Sequence, residues 1–178
     1  MGFSFRKILD GLYVASGAVA ALFLLLICVL VTVQVIFNLI TKLFGTELAI
    51  TIPSYAEFAG FFLAAASFLA LAYTLTRGGH IRVTLVLQFL PKTPRLIFEI
   101  IGLSICAATA IYATWFMGKL TFESFSYGDL SPGIIAIPLW IPQSSLVLGL
   151  GILAISLVDL TLTTILKRSL ILKPTDMG

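Results

Sequence analysis

Three acids, Glu57, Glu99 and Asp159, stand inside long apolar runs. An ionisable group there is costly and is by default a functional candidate. Carboxylates gathered at one depth could hold a transported cation or pass a proton. Helical spacing gives each acid small neighbours on its own face. These are Gly60, Ala64 and Ser67 beside Glu57; Gly102, Cys106, Thr109 and Ala113 beside Glu99; and Ser145, Gly149, Ser156 and Thr163 beside Asp159. Small residues let helices approach closely, so these faces are expected to pack on protein and to turn the acids away from lipid. Depth separates the three. Glu57 is expected about five residues, or ~8 Å, from the outer end of its helix. Glu99 is expected one turn, and Asp159 two turns, from the inner ends of theirs. One shared ion site does not follow. The expected roles are interhelical hydrogen bonds, with inner-leaflet ion pairs to Arg77, Arg82, Arg95 or Lys167. Gln34, Asn38 and Thr41 share a face and read as a packing contact or a wet outer end.

Other chemistry finds little footing. A lone histidine, His80, excludes a bis-histidine haem within the chain. Cys28 and Cys106 lie in apolar runs and read as small buried hydrophobes, not as a disulfide or metal site. There is no phosphate-binding glycine loop, metal cluster or nucleophile–base pair, so no enzyme and no cofactor is expected of this chain. The net charge of +3 is spread over short segments between apolar runs, which argues against nucleic acid.

The elements that must position these residues are membrane helices. Of 178 residues 60% are hydrophobic and 11% charged, with mean hydropathy +1.12. Soluble domains carry roughly 25% charged residues. Four runs, about 12–40, 52–76, 96–118 and 136–166, each exceed the ~20 residues a spanning helix needs. The first is too long for a signal peptide. The first and last exceed a perpendicular span and are expected to tilt, supplying lipid-facing bulk. Nine of the eleven basic residues lie in the N-terminus, the second connection and the C-terminus. The positive-inside rule then puts both termini in the cytoplasm. Ile52-Pro53-Ser54-Tyr55 and Ile137-Pro138-Leu139-Trp140 open the second and fourth helices alike, with proline suited to a first turn and the ring at headgroup level. They read either as a trace of duplication or as convergent helix starts. After Gly78-Gly79, polar residues at His80, Thr84 and Gln88 amid apolar ones predict a short amphipathic helix over 80–90, lying in the inner interface, the alternative being a short membrane-dipping segment packed on a partner protein. His80 and Arg82 there would anchor phospholipid headgroups or a neighbouring subunit. The fold class is thus all-α integral membrane: one domain over 1–178, four spans with both ends inside, and this interfacial helix.

Three features together resemble the small (Q) membrane subunit of TRAP transporters, the tripartite ATP-independent periplasmic systems. They are Glu57 early in the second helix, the Arg77-Gly78-Gly79-His80-Ile81-Arg82-Val83 stretch closing it, and Ile137-Pro138-Leu139-Trp140-Ile141-Pro142 opening the fourth. Thr84 stands where such chains often carry an acid. The resemblance implies a bacterial inner-membrane partnership. A large (M) subunit holds the substrate and Na⁺ sites, and a periplasmic binding protein delivers an organic anion such as a C4-dicarboxylate or sialic acid. The small subunit is a rigid extension of the scaffold. Its interface candidates toward partner or lipid are Glu57, Gly79, His80, Arg82, Glu99, Pro138, Trp140, Pro142 and Asp159. The outer connections, 43–52 and 121–136, are expected to approach the binding protein. Two competing readings are a dimeric proton-coupled exporter and a membrane assembly factor. Four-helix exporters of that kind place an essential glutamate in helix 1, whereas 12–40 is free of acid here.

Overall fold

The computed structural model describes residues 3–44, 51–77 and 92–167. The expected interfacial helix over 80–90, with Gly79, His80 and Arg82, lies outside the described residues. The described chain forms four helices: α1 (Phe3–Phe44), α2 (Tyr55–Thr76), α3 (Lys92–Tyr127) and α4 (Trp140–Lys167). All four are long and apolar enough to cross a membrane.

α1 and α3 outrun the apolar stretches that announce them, whereas α2 and α4 begin a few residues inside theirs. α3 continues nine residues past Gly118, through a Lys119–Glu123 pair at i,i+4 (3.8 Å) that suits a helix surface. At 36 residues it is ~54 Å long, well beyond the ~30 Å hydrocarbon core. It stops in a glycine turn. Gly128 takes a left-handed φ of 69°, and the Asp129 N–H donates to Ser124 O at 3.0 Å. Pro53 and Pro138 lie just before α2 and α4, not within their first turns. Pro142 is the third residue of α4, where its missing N–H costs the helix nothing.

The helices stand in a row, α1–α2–α4–α3, with a smaller contact of α1 on α4. α2 and α4 both start at the same end and run parallel. Ser54 with Ile135, and Phe68 with Gly149, meet at one offset of 81 residues. α1 runs antiparallel to α2 and α3 antiparallel to α4, so two helical hairpins sit side by side. α4 is the most enclosed helix, with 44% of its most apolar window buried against 11% for α1. The outermost helices of the row are therefore α1 and α3, so of the first and fourth helices, both expected to supply outward-facing bulk, only the first lies at a flank. A row needs its connecting helix inside, and α4 has neighbours on both sides.

Packing follows small residues, but not always the expected ones. On α4, Gly149, Ser156, Asp159 and Thr163 are buried as expected. On α3 the buried face is Glu99, Ala107 and Ala110, while Gly102, Cys106 and Thr109 are exposed. On α2 it is Ala65, Ala66, Leu69 and Ala72, while Gly60 and Ser67 are exposed. Alanine is the common element, and the faces built around Gly60 and Gly102 are displaced by it. Ala107 and Ala110 pack on Ala154 and Leu157, and Leu9, Tyr13 and Ala72 form a second cluster. Gly17, on α1, sits against the Tyr73 ring and lets α1 and α2 close. Cys28 and Cys106 are free thiols on outward faces and not buried, because each lies opposite its helix's packing side.

Candidate functional site

Polar side chains gather at the two ends of the bundle along its helix axes, with alanine between them. Hydroxyls in the spans mostly bond their own helix. Ser156 donates to Leu153 O (2.8 Å), Thr163 to Asp159 O (2.7 Å) and Thr164 to Leu160 O (2.8 Å). In hydrocarbon this satisfies a donor without demanding a partner helix. The hydroxyls expected to link helices therefore mostly do not.

At one end α1 begins and α4 finishes. Asp159 is 8% exposed, and its Oδ1 lies 3.9 Å from Arg6 Nη1. The cation expected for Asp159 came from the second connection or the C-terminus, but it comes from the first turns of α1. The antiparallel path of α1 brings its start beside the last two turns of α4, so residues far apart in sequence meet. Arg77 instead lies over the Tyr73 ring, 5.4 Å from its centre. Glu99 is buried and has a partner, seven residues into α3. Tyr13 is 2% exposed, and its hydroxyl has no hydrogen-bond partner among the described residues. An unpaired buried hydroxyl costs stability, and removing it can be neutral or favourable. Tyr13→Phe is thus expected to leave the purified protein's melting temperature unchanged or raised. A clear fall would reveal a partner for the hydroxyl.

At the other end α2 and α4 begin. Gln34 is 3% exposed on α1; its Oε1 accepts the Ile52 N–H (3.0 Å) and its Nε2 donates to Asn38 Oδ1 (3.0 Å). The Gln34 face is thus a packing contact that ties the start of the α2 segment to α1. Glu57 lies in the first turn of α2, shallower than expected because the helix begins at Tyr55. Both its carboxylate oxygens are buried without a hydrogen-bond partner among the described residues. The segment before α4 folds over it as a small hairpin. Leu130 pairs with Pro138, Ser131 N–H donates to Ile137 O (2.8 Å), and Leu139 N–H donates to Asp129 O (2.9 Å). Trp140 meets Phe125 edge-on at 5.6 Å, joining the start of α4 to the end of α3. Pro138 and Trp140 thus shape this hairpin's return into α4.

The sequence pointed to Glu57, Glu99, Pro138, Trp140, Pro142 and Asp159. The structure brings Glu57, Pro138, Trp140 and Pro142 to one end, and Asp159 to the other. Sequence reading missed Arg6 as Asp159's partner, and Ser54 and Gly133 beside Glu57. Ser54-x-x-Glu57 has capping-box spacing and could have drawn notice. No group of three metal-ligating side chains occurs among the described residues.

This is a polytopic membrane chain of four apolar helices with its polar groups parted to the two ends, the class of a membrane subunit. Residues 27–167 match the DctQ component of tripartite ATP-independent periplasmic transporters, and the chain belongs to that family. It is a small membrane subunit of a TRAP transporter, a transporter component of a family that works with a large membrane subunit and a periplasmic binding protein. No curated protein and no solved structure matches the chain.

Proposed function

We propose that this chain is the static scaffold of a Na⁺-coupled importer. It holds the large subunit in the bacterial inner membrane while an organic anion, of the C4-dicarboxylate or sialic acid type, arrives on a periplasmic binding protein. The observation that carries this reading is the alanine-built middle. Ala65, Ala66 and Ala72 on α2, Ala107 and Ala110 on α3 and Ala154 on α4 are all buried in the spans. A transporter's own binding site is expected near the midplane, with broken helices and polar groups. A close-packed apolar seam is what a part that does not move requires. Both termini and the Arg6–Asp159 end are cytoplasmic on this reading, and the Glu57 end faces the periplasm. Substrate and Na⁺ belong to the large subunit, and phospholipid surrounds the α1 and α3 flanks.

The test is reconstitution in liposomes with candidate organic acids, with and without a Na⁺ gradient. Uptake is expected only with this chain, the large subunit and the binding protein together, and only with Na⁺. Uptake by this chain alone would overturn the scaffold reading.

A further inference from the structure

We infer that Ser54, Glu57 and Gly133 form a seat that fixes the hairpin between α3 and α4 in one conformation, and that this seated hairpin is a recognition element for the soluble partner. The partner half rests on the reading of this end as periplasmic.

Ser54 and Glu57 have the residue types and spacing that normally satisfy a helix's own first N–H groups. Here neither does so. Ser54 makes no side-chain cap bond, and its backbone is left-handed (φ 57°, ψ 19°), a conformation costly for a non-glycine residue. Its Oγ instead accepts the Ile135 N–H at 3.1 Å, across from α2 to the hairpin. Glu57 keeps the favourable position of a carboxylate at a helix N-terminus, but aims its oxygens at the hairpin. Gly133 lies directly over them. A methyl group there would collide with Glu57 Oε2 and come within 2.6 Å of its Cδ and 2.8 Å of Ser54 Oγ. An alanine fits there only if the Glu57 carboxylate and the Ser54 hydroxyl both move aside, which unmakes the seat. Two residues thus forgo their ordinary local role, one at a strained backbone, and both serve the same loop. Local rules broken together at one place mark a site under functional demand.

The seat sets what the hairpin shows. Ile134, between the two seated residues, is 86% exposed, and Tyr127 at its base is 82% exposed. A rigid loop with an isoleucine at its tip binds with less ordering cost than a loose one. The partner it fits is a soluble periplasmic protein, because the hairpin lies beyond the helix starts, at the end away from Arg6 and Asp159.

The test is a bump-and-hole series in the assembled transporter: Gly133→Ala, Glu57→Asp, and the pair together. The methyl of Gly133→Ala needs the room that the shorter aspartate vacates. A spin label on Ile134→Cys, in a background carrying Cys28→Ser and Cys106→Ser, reads the seat; uptake against binding-protein concentration reads recognition. Gly133→Ala is expected to sharpen the label's spectrum and raise the half-saturating binding-protein concentration about tenfold, with the maximal rate unchanged. Glu57→Asp/Gly133→Ala is expected to restore both. An unchanged spectrum in Gly133→Ala would overturn the seat. A changed spectrum with unchanged half-saturation would overturn the recognition role. Reduced complex abundance with no shift in half-saturation would make the seat merely structural. Uptake that needs no binding protein would instead sink the importer reading.

Discussion

Gly149→Val is expected to cost more assembled protein than any other single substitution in the α2–α4 seam. A side chain at position 149 would meet the Phe68 carbonyl carbon at 2.6 Å, its oxygen at 2.7 Å and its Cβ at 2.8 Å. Two of these three atoms are helix backbone, which cannot turn aside as a side-chain tip can. The helices must separate, and α4 lies between both hairpins, so a shift there also disturbs α3. Overpacking of this kind costs roughly 1–3 kcal/mol where the surroundings can partly relax. Against rigid backbone the upper part of that range is expected, a factor of roughly a hundred in the folded equilibrium. Gly102→Val is the matched control, because nothing lies within 4 Å of a Cβ at Gly102. Melting of the detergent-purified complex, followed by size-exclusion chromatography, should show a large fall for Gly149→Val and little change for Gly102→Val. Equal behaviour of the two would refute the close contact.

The contrast between these two glycines shows what the sequence could and could not convey. Both were expected on packing faces. Spacing alone places a residue on a stripe; it does not say which stripe meets a neighbour. For a soluble helix the apolar face answers that question, since water covers the other. In lipid every face of α1 and α3 can be apolar, and the hydropathy that locates the spans carries no rotation signal. The existence of four helices and the second helix's end at Thr76 were therefore legible. The rotation of α2 and α3, and the row order that puts α4 inside, were not. Helix ends failed for a related reason. α3 runs on through Lys119 and Glu123, charges that end an apolar run without ending a helix.

The polar groups were legible by type but not by partner. Glu57 and Asp159 stand out in any apolar run. That they lie at opposite ends follows from counting residues, and the structure agrees. Arg6, however, reaches Asp159 only because α1 crosses onto α4, and Gly133 reaches Glu57 only because a hairpin folds back over α2. Both partners are more than seventy residues away in sequence. Nothing in local spacing points to contacts of that range.

Removing Arg6 is expected to harm the protein, and removing Asp159 as well is expected to undo the harm. The pair is long, at 3.9 Å, with the Arg6 side chain 42% exposed and that of Asp159 9%. A partly exposed ion pair contributes little by attraction alone. Its importance lies in the asymmetry of what remains. Asp159 sits two turns inside α4, and without a cation its charge is buried uncompensated. Breaking a fully buried pair costs ~3–5 kcal/mol; the exposure of Arg6 brings the expectation for Arg6→Ala down to about 1–3 kcal/mol. Asp159→Asn removes the charge and nearly keeps the shape, so Arg6→Ala/Asp159→Asn should recover most of that loss. Arg6 also counts toward orientation by the positive-inside rule, so a bare Arg6→Ala defect would have two readings. The double variant separates them, because its N-terminal charge equals that of Arg6→Ala. Recovery of melting temperature in the double variant assigns the defect to the buried carboxylate. A double variant no more stable than Arg6→Ala would mean that Asp159 does not depend on Arg6, and that α1 is held onto α4 by the Leu9 and Tyr13 contacts alone.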